Sequence, residues 1–368
     1  MLPVVSEPQP SALTPALEAS VVVPVRNGAR TLGRCLNAVL ASEGIGEFEV
    51  IVVDDGSTDG STEIASGFPC RLIRCEEGRG PAAARNRGAG EARSSRLVFV
   101  DADVFVRPES LARLLAALDS APAAFGSYDP EPVNENFSTV FYHALSCRSI
   151  RDTSEKTPVF YSYCAAIRRD LFLELGGFDT NFARATFEDV ELGFRLAERG
   201  LFSTHLRDVQ VAHAVHYSLL GLARAYYRKS WDLAWLLLSC RSMTFGDQGW
   251  THRKNWAVWA SAWGTLSFGP LALWVDPLWA LPWMLAVSGF LATSAELYRS
   301  MARRRWLYGP LGMLGYLGIH CVATMAMLAA LFDWVRGGGR RRRPSKRRTA
   351  YRQPIDEPSG PDLEGGRP

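Results

Sequence analysis

Leu97-Val-Phe-Val-Asp-Ala-Asp103 is the stretch on which the reading of this chain turns: an uninterrupted apolar run, then two carboxylates one residue apart. A short apolar run bounded by polar residues has the pattern of a fully buried strand in a parallel sheet. The carboxyl end of such a strand is where open α/β sheets keep their ligands. Two close carboxylates repel unless a proton or cation intervenes, and hard oxygen ligands suit Mg²⁺ or Mn²⁺. Asp is also common at strand-end turns, so Asp101 and Asp103 taken alone fit a metal site and a plain turn equally well.

Upstream, Ser20-Val-Val-Val-Pro-Val25 and Phe48-Glu-Val-Ile-Val-Val53 read as two further buried strands, the second also ending in acids, Asp54-Asp55. Arg26-Asn-Gly28 is turn chemistry, and Ala29 to Leu40 carries apolar residues at helical spacing. Arg71-Leu-Ile-Arg74 predicts a third strand, and Pro81 opens a helix running to Glu91. A helix is predicted from Pro108 to Leu118. This alternation of strand and helix argues for a mostly parallel α/β sheet flanked by helices, with carboxylates gathered along one edge.

Further on, strands are expected near Ala123–Ser127 and Val159–Ile167, with a helix near Phe137–Ile150 between them. Another helix starts at about Glu188 and stops at Gly200, which places Glu188 and Asp189 in its first turn. Val209-Gln-Val-Ala-His213 predicts a short strand closing on His213.

The composition then changes. An amphipathic helix from Ser218 to about Ser239 mixes Tyr226, Tyr227, Trp231 and Trp235 with Arg224, Arg228 and Lys229, a pattern suited to a membrane interface or to a helix packed on the preceding domain. Trp256 to Val275, Pro277 to Ala295 and Gly309 to Phe332 are long apolar runs with Trp clustered at their ends. Such runs predict a membrane region over 256–332 with two or three transmembrane helices. Arg299, Arg303, Arg304 and Arg305 precede the last run and an arginine-rich tail follows it. Both basic clusters prefer the cytosol, yet a single run separates them; a re-entrant segment and one rule-breaking cluster are both open.

Net charge is only +3, because the basic tail offsets acids elsewhere. The seven cysteines are scattered, odd in number and without a C-x-x-C pair, which argues against a zinc site or a disulfide framework. Residues 1–19, rich in Pro and Ser, predict a disordered leader and not a signal peptide. The organisation expected is therefore leader 1–19, catalytic domain 20–217, interfacial segment 218–250, membrane region 256–332, and a basic then Pro/Gly-rich disordered tail over 336–368. The tail can hold anionic lipid headgroups; no nucleic-acid partner is expected.

Five motifs stand in order: Val22-Val-Pro-Val-Arg-Asn27, Val52-Val-Asp-Asp-Gly-Ser-Thr-Asp59, Gly80-Pro-Ala-Ala-Ala-Arg-Asn-Arg-Gly88, Asp101-Ala-Asp103, and Gly176-Gly-Phe-Asp followed by Phe187-Glu-Asp189. In order and spacing they resemble the family 2 glycosyltransferases, over roughly residues 20 to 235. The resemblance implies the GT-A fold and inverting transfer of a sugar from a nucleotide-diphosphate donor, UDP- or GDP-linked. It implies that Pro24, Val25, Arg26 and Asn27 line the base pocket, that Asp55 bonds the base, and that Arg85 lies near the ribose and diphosphate. Asp101 would serve the ribose and the metal, Asp103 would be the direct ligand of Mg²⁺ or Mn²⁺, and His213 a further contact. Asp189 matches the family's base, with Glu188 assisting. The helix Tyr226-Tyr-Arg-Lys-Ser-Trp231 lacks the Gln-x-x-Arg-Trp motif of processive members. A single-addition enzyme is therefore expected, multi-pass in the cytoplasmic membrane with its catalytic domain in the cytosol, acting on a lipid-linked or envelope glycan. The alternative is a membrane-anchored sugar-nucleotide-binding protein without transfer.

Overall fold

The computed structural model describes residues 17–182, 184–239 and 253–336. Most of the expected leader, the stretch 240–252 and the tail beyond 336 lie outside the described residues. The chain opens with β1 (Ala19–Val25), α1 (Leu32–Leu40), β2 (Phe48–Asp54), α2 (Ser61–Ser66), β3 (Arg71–Arg74), α3 (Pro81–Glu91) and β4 (Arg96–Val100). It continues through β5 (Val104–Phe105), α4 (Ser110–Ala117), β6 (Ala123–Tyr128), α5 (Phe137–Arg151), β7 (Lys156–Thr157) and β8 (Cys164–Arg168). Then come α6 (Arg169–Glu174), α7 (Glu188–Glu198), β9 (Ser203–His213) and four long helices, α8 (Leu219–Ser239), α9 (Arg253–Trp274), α10 (Ala280–Ala302) and α11 (Tyr308–Val335).

One mixed sheet in the order β3-β2-β1-β4-β8-β6-β9-β5 forms the first two thirds of the chain, with β7 paired to β9. Its first half is parallel, as the strand–helix alternation predicts, and β8 then runs antiparallel between β4 and β6. Continuous apolar strands are needed because both faces are covered. Val21, Val23, Val50 and Val52 face Leu32, Leu36, Leu111 and Leu114, while Val22, Ile51, Val53, Leu97 and Phe99 face α3, α6 and α7. α3 lies so close that a Cβ on Gly88 would stand 2.4 Å from Val22 Cγ1.

The strand expected over Val159–Ile167 begins only at Cys164. Residues 158–163 are apolar for another reason: Val159 packs with Phe187, Val190 and Leu236, and the segment walls a cavity without pairing in the sheet. Gly193 on α7 lets this segment approach, since a Cβ there would stand 2.4 Å from the Pro158 carbonyl oxygen and 2.6 Å from Phe160 N. Neither neighbour is a flexible side-chain end. Gly193→Ala is therefore expected to destabilise the fold by about 1–3 kcal/mol, read as a lowered thermal unfolding midpoint. β9 starts at Ser203, earlier than the predicted Val209, because the polar residues Ser203, Thr204 and His205 pair with β6 and β7.

The three apolar runs fold as α9, α10 and α11. Among the described residues two stretches, Pro277–Ala302 and Tyr308–Val335, are long and apolar enough to cross a membrane by length and composition; α9 is not one of them and carries Pro270 in its interior.

Candidate active site

The carboxyl ends of β1, β2 and β4 meet along one sheet edge, and the polar turns after them are tied to each other. Asp55 N donates to the Val25 carbonyl (2.8 Å), and both Asp55 carboxylate oxygens accept backbone N–H groups, of Arg79 (2.9 Å) and Gly80 (2.8 Å). Asn27, at φ 55°, accepts from Thr58 N through its side chain at 2.8 Å, and its own N–H donates to Ser57 Oγ at 3.0 Å. The Arg26 guanidinium lies over Gly78, where a Cβ would stand 2.3 Å from Nη1. Pro24 and Val25 at the end of β1, Arg26 and Asn27 in the turn after it, and Asp55 after β2 thus form one cluster at neighbouring strand ends. It lies outside the cavity formed by the other expected site residues.

That cavity, about 230 Å³, brings together Arg85, Asp101, Asp103, Glu188, Asp189 and His213 from positions far apart in sequence. Arg85, in its wall, is only 2% exposed. Nη2 donates to Asp101 Oδ1 at 2.6 Å and Nη1 to Glu188 Oε1 at 2.9 Å, so one guanidinium ties the end of β4 to the start of α7. Glu188's other oxygen accepts from Thr186 N at 2.8 Å. Both oxygens of Glu188 are thus engaged within the protein, and it holds Arg85 in place.

Asp189 is the partly exposed acid of the pair. Ser162 N (3.1 Å) and Ser162 Oγ (3.3 Å) donate to its Oδ2, and Val190 N donates to Oδ1 at 2.8 Å. Burial, and then the charge of Asp189, raise the Glu188 carboxyl above the ordinary range against the pull of Arg85. Burial likewise raises Asp189, although the Ser162 N–H and Arg85 oppose it.

Across the cavity, β5 pairs with β9 in the register Val104↔His213, which sets the imidazole beside Asp103, with Nε2 at 3.4 Å from Oδ2. Tyr128 stacks on His213 at 4.5 Å, and His213 Nδ1 is buried without a hydrogen-bond partner. Burial by itself raises the Asp103 carboxyl; His213, a backbone hydrogen bond and Arg85 together hold the group below the usual range. Of these donors the carboxylates are the hard oxygen ligands that Mg²⁺ or Mn²⁺ prefers, and Asp101 is already engaged by Arg85. Among the described residues no three His, Cys, Asp or Glu side chains close a cage.

Sequence reasoning missed four wall residues. Tyr128 and Tyr142 sit on elements with no distinctive motif, and Ser162 lay hidden in a segment taken as a strand. Lys229 was read only as part of an interfacial pattern; its Nζ donates to Tyr142 Oη at 2.9 Å inside the cavity. α8 therefore completes the site, and the expected domain boundary at 217 cuts through its wall.

A mixed α/β sheet with acids gathered at strand ends around one cavity defines the class of nucleotide-diphospho-sugar transferase folds. A mannosyltransferase from Pyrobaculum calidifontis, solved in complex with GDP-Man and Mn²⁺, shares the fold with a TM-score of 0.60 and 22% identity, over 87% of this chain and 88% of that one. The family model for glycosyl transferase family 2 matches residues 20–176 of this chain. Among curated relatives, the succinoglycan biosynthesis protein ExoO of Rhizobium meliloti is 38% identical over 117 residues, 31% of this chain and 33% of the relative. The validoxylamine A glucosyltransferase of Streptomyces hygroscopicus subsp. jinggangensis is 29% identical over 233 residues, 54% of this chain and 55% of the relative. The glycosyltransferase AglE of Haloferax volcanii is 28% identical over 202 residues, 53% of this chain and 66% of the relative. The chain thus spans from a third to just under two thirds of the length of these relatives.

Proposed function

We propose that this chain is a metal-dependent, inverting glycosyltransferase. It moves one sugar at a time from a UDP- or GDP-linked donor to a lipid-linked or cell-envelope glycan at the cytosolic face of a membrane. The observation that carries the reading is the placement of Asp189 in the same cavity as Asp101 and Asp103, with Arg85 fixing the two sides relative to each other. Relatives named for succinoglycan biosynthesis and for glucosyl transfer support the reaction class and the envelope setting.

Inversion in a single displacement needs one base, opposite the leaving group. Asp189 takes the proton of the acceptor hydroxyl; the oxygen then attacks the anomeric carbon as the bond to the diphosphate breaks. Ser162 aims the Asp189 carboxylate, and Glu188 acts through Arg85 as a positioning residue. The cluster of Pro24, Val25, Arg26, Asn27 and Asp55 receives the nucleotide base, along the sheet edge from the cavity. Asp101, engaged by Arg85, serves the ribose side, which leaves Asp103 and His213 to hold the cation. When bound, Mg²⁺ or Mn²⁺ supplies Lewis-acid neutralisation of the departing diphosphate.

The test is a panel of nucleotide sugars offered to the purified full chain with host membranes as acceptor, scored for released UDP or GDP. One donor is expected to be turned over, release to stop with EDTA, and activity to return on adding Mg²⁺ or Mn²⁺. Donor binding by calorimetry with no turnover of any donor would overturn the proposal and favour a sugar-nucleotide-binding protein.

A further inference from the structure

We propose that α11 does not cross the bilayer. It lies flat against one leaflet, with its apolar outer face in the lipid and its two arginine-bearing ends at the headgroups of the same side. The inference rests on the membrane association proposed above, and it concerns the arrangement that the sequence leaves open.

The first observation is the path of α8. Near its start, Leu222 and Tyr226 pack with Val140, Phe141 and Tyr142 of α5. At mid-length, Lys229 reaches into the catalytic cavity. Near its end, Leu236 packs with Val159, Phe187 and Val190. The helix therefore runs along the surface of the sheet domain for about 20 Å, at 1.5 Å per residue.

α11 follows the same line one layer out. Tyr308 Oη donates to the Glu135 carbonyl at 3.2 Å and its ring meets Phe137 at 5.3 Å. Tyr316 and Ile319 join the cluster of Leu222 and Tyr226, and Ala330 packs with Ala234 and Trp235. At the far end Trp334 meets Trp235 at 5.0 Å. α11 is thus about 42 Å long by helical rise and stays on α5 or α8 from its first turn to its last. If α11 crossed a bilayer, Lys229 on α8, which packs along it, would lie at membrane depth, where a charged side chain costs about 2.5–3.5 kcal/mol or more.

The second observation is the outer face. Leu311, Leu314, Met325, Leu328, Phe332 and Val335 are exposed and fall on one helical stripe, while Gly312, Tyr316, Ile319, Ala323, Ala326 and Ala330 face inward and are buried. The third is charge. Arg303, Arg304 and Arg305 stand just before the helix and Arg336 just after it, with Arg340 to Arg343 following in the sequence. Both ends can meet anionic headgroups of one leaflet only if the helix lies in the plane of that leaflet. An apolar stripe between two basic ends commits the face to an anionic bilayer surface.

The test uses the full chain expressed in a bacterial host. Flotation first establishes membrane association; a chain found only in the soluble fraction overturns both this inference and the membrane reading beneath it. Single-cysteine probes are then added, in separate chains, at Arg305 and Arg336 on either side of α11 and at Asp119 on the catalytic domain. They are treated with a membrane-impermeant maleimide in spheroplasts and in inside-out vesicles, with the unsubstituted chain as background. All three are expected to label from the same side. Arg336→Cys labelling from the side opposite Asp119→Cys would overturn the proposal while leaving membrane association intact. A second readout needs no substitution in the folded part. Trypsin should remove a C-terminal epitope from the side that labels Asp119→Cys, and removal only from the other side would count against the inference in the same way.

Discussion

Arg85→Met is expected to destabilise the sheet domain by about 3–5 kcal/mol and to abolish sugar transfer, the largest stability effect of any single change in the site. The reason is geometric. One buried guanidinium faces Asp101 at 2.6 Å and Glu188 at 2.9 Å, and its removal leaves two carboxylates without their cation. Met keeps most of the volume and the packing on Phe178, so the loss reports charge more than cavity. The pH dependence separates the two. Glu188's carboxyl already sits above the ordinary range through burial and the neighbouring Asp189, and loss of Arg85 raises it further. A raised acid favours the folded state below its unfolded value, and that stability is lost as pH rises through the folded value. The deficit of Arg85→Met should therefore shrink as pH falls from the alkaline side toward the ordinary carboxylate range. Thermal unfolding at a series of pH values measures it; a deficit that is flat with pH would mean that packing, not charge, is what Arg85 supplies.

Asp189→Asn is expected to lower kcat by about 10²–10⁴-fold while leaving the donor's KM nearly unchanged, the pattern of a lost general base. Asn is isosteric, but its single carbonyl oxygen can accept from only one of the Ser162 and Val190 N–H groups, so the variant gives up one hydrogen bond at the first turn of α7 while keeping the side chain's shape. The wild-type pH profile should show an acid limb above the ordinary carboxylate range, because the base works only when ionised and burial raises it. Activity falls as pH drops through that raised value. The limb belongs to the Glu188–Asp189 pair taken together, and it should disappear in the Asn variant. Full activity in Asp189→Asn would remove the residue from the chemistry.

The two substitutions probe different parts of one arrangement. Arg85 acts on the fold and on the relative placement of β4 and α7, whereas Asp189 acts on the proton. A combined loss smaller than the sum of the separate losses would show that the bridge serves to place the base.

What the sequence by itself determined is what short-range pattern can carry. The apolar runs of β1, β2 and β4 are legible because a strand buried on both faces has no polar position. Their terminal acids, Asp54, Asp55, Asp101 and Asp103, mark the carboxyl edge of the sheet because they end those runs. The first turn of α7 was readable from Phe187-Glu-Asp189 and the stop at Gly200. The tertiary structure decided everything that depends on separation in sequence. Arg85 bonds partners 16 and 103 positions away, and Ser162 aims an acid 27 positions on. No periodicity within one element encodes such pairings. The apolar segment 158–163 looked like a strand because burial between helices and burial in a sheet select the same residues. Lys229 and α11 carry the same lesson: hydropathy states that a face must leave water, and only the packing of α8 and α11 against the catalytic domain decides whether protein or lipid covers it.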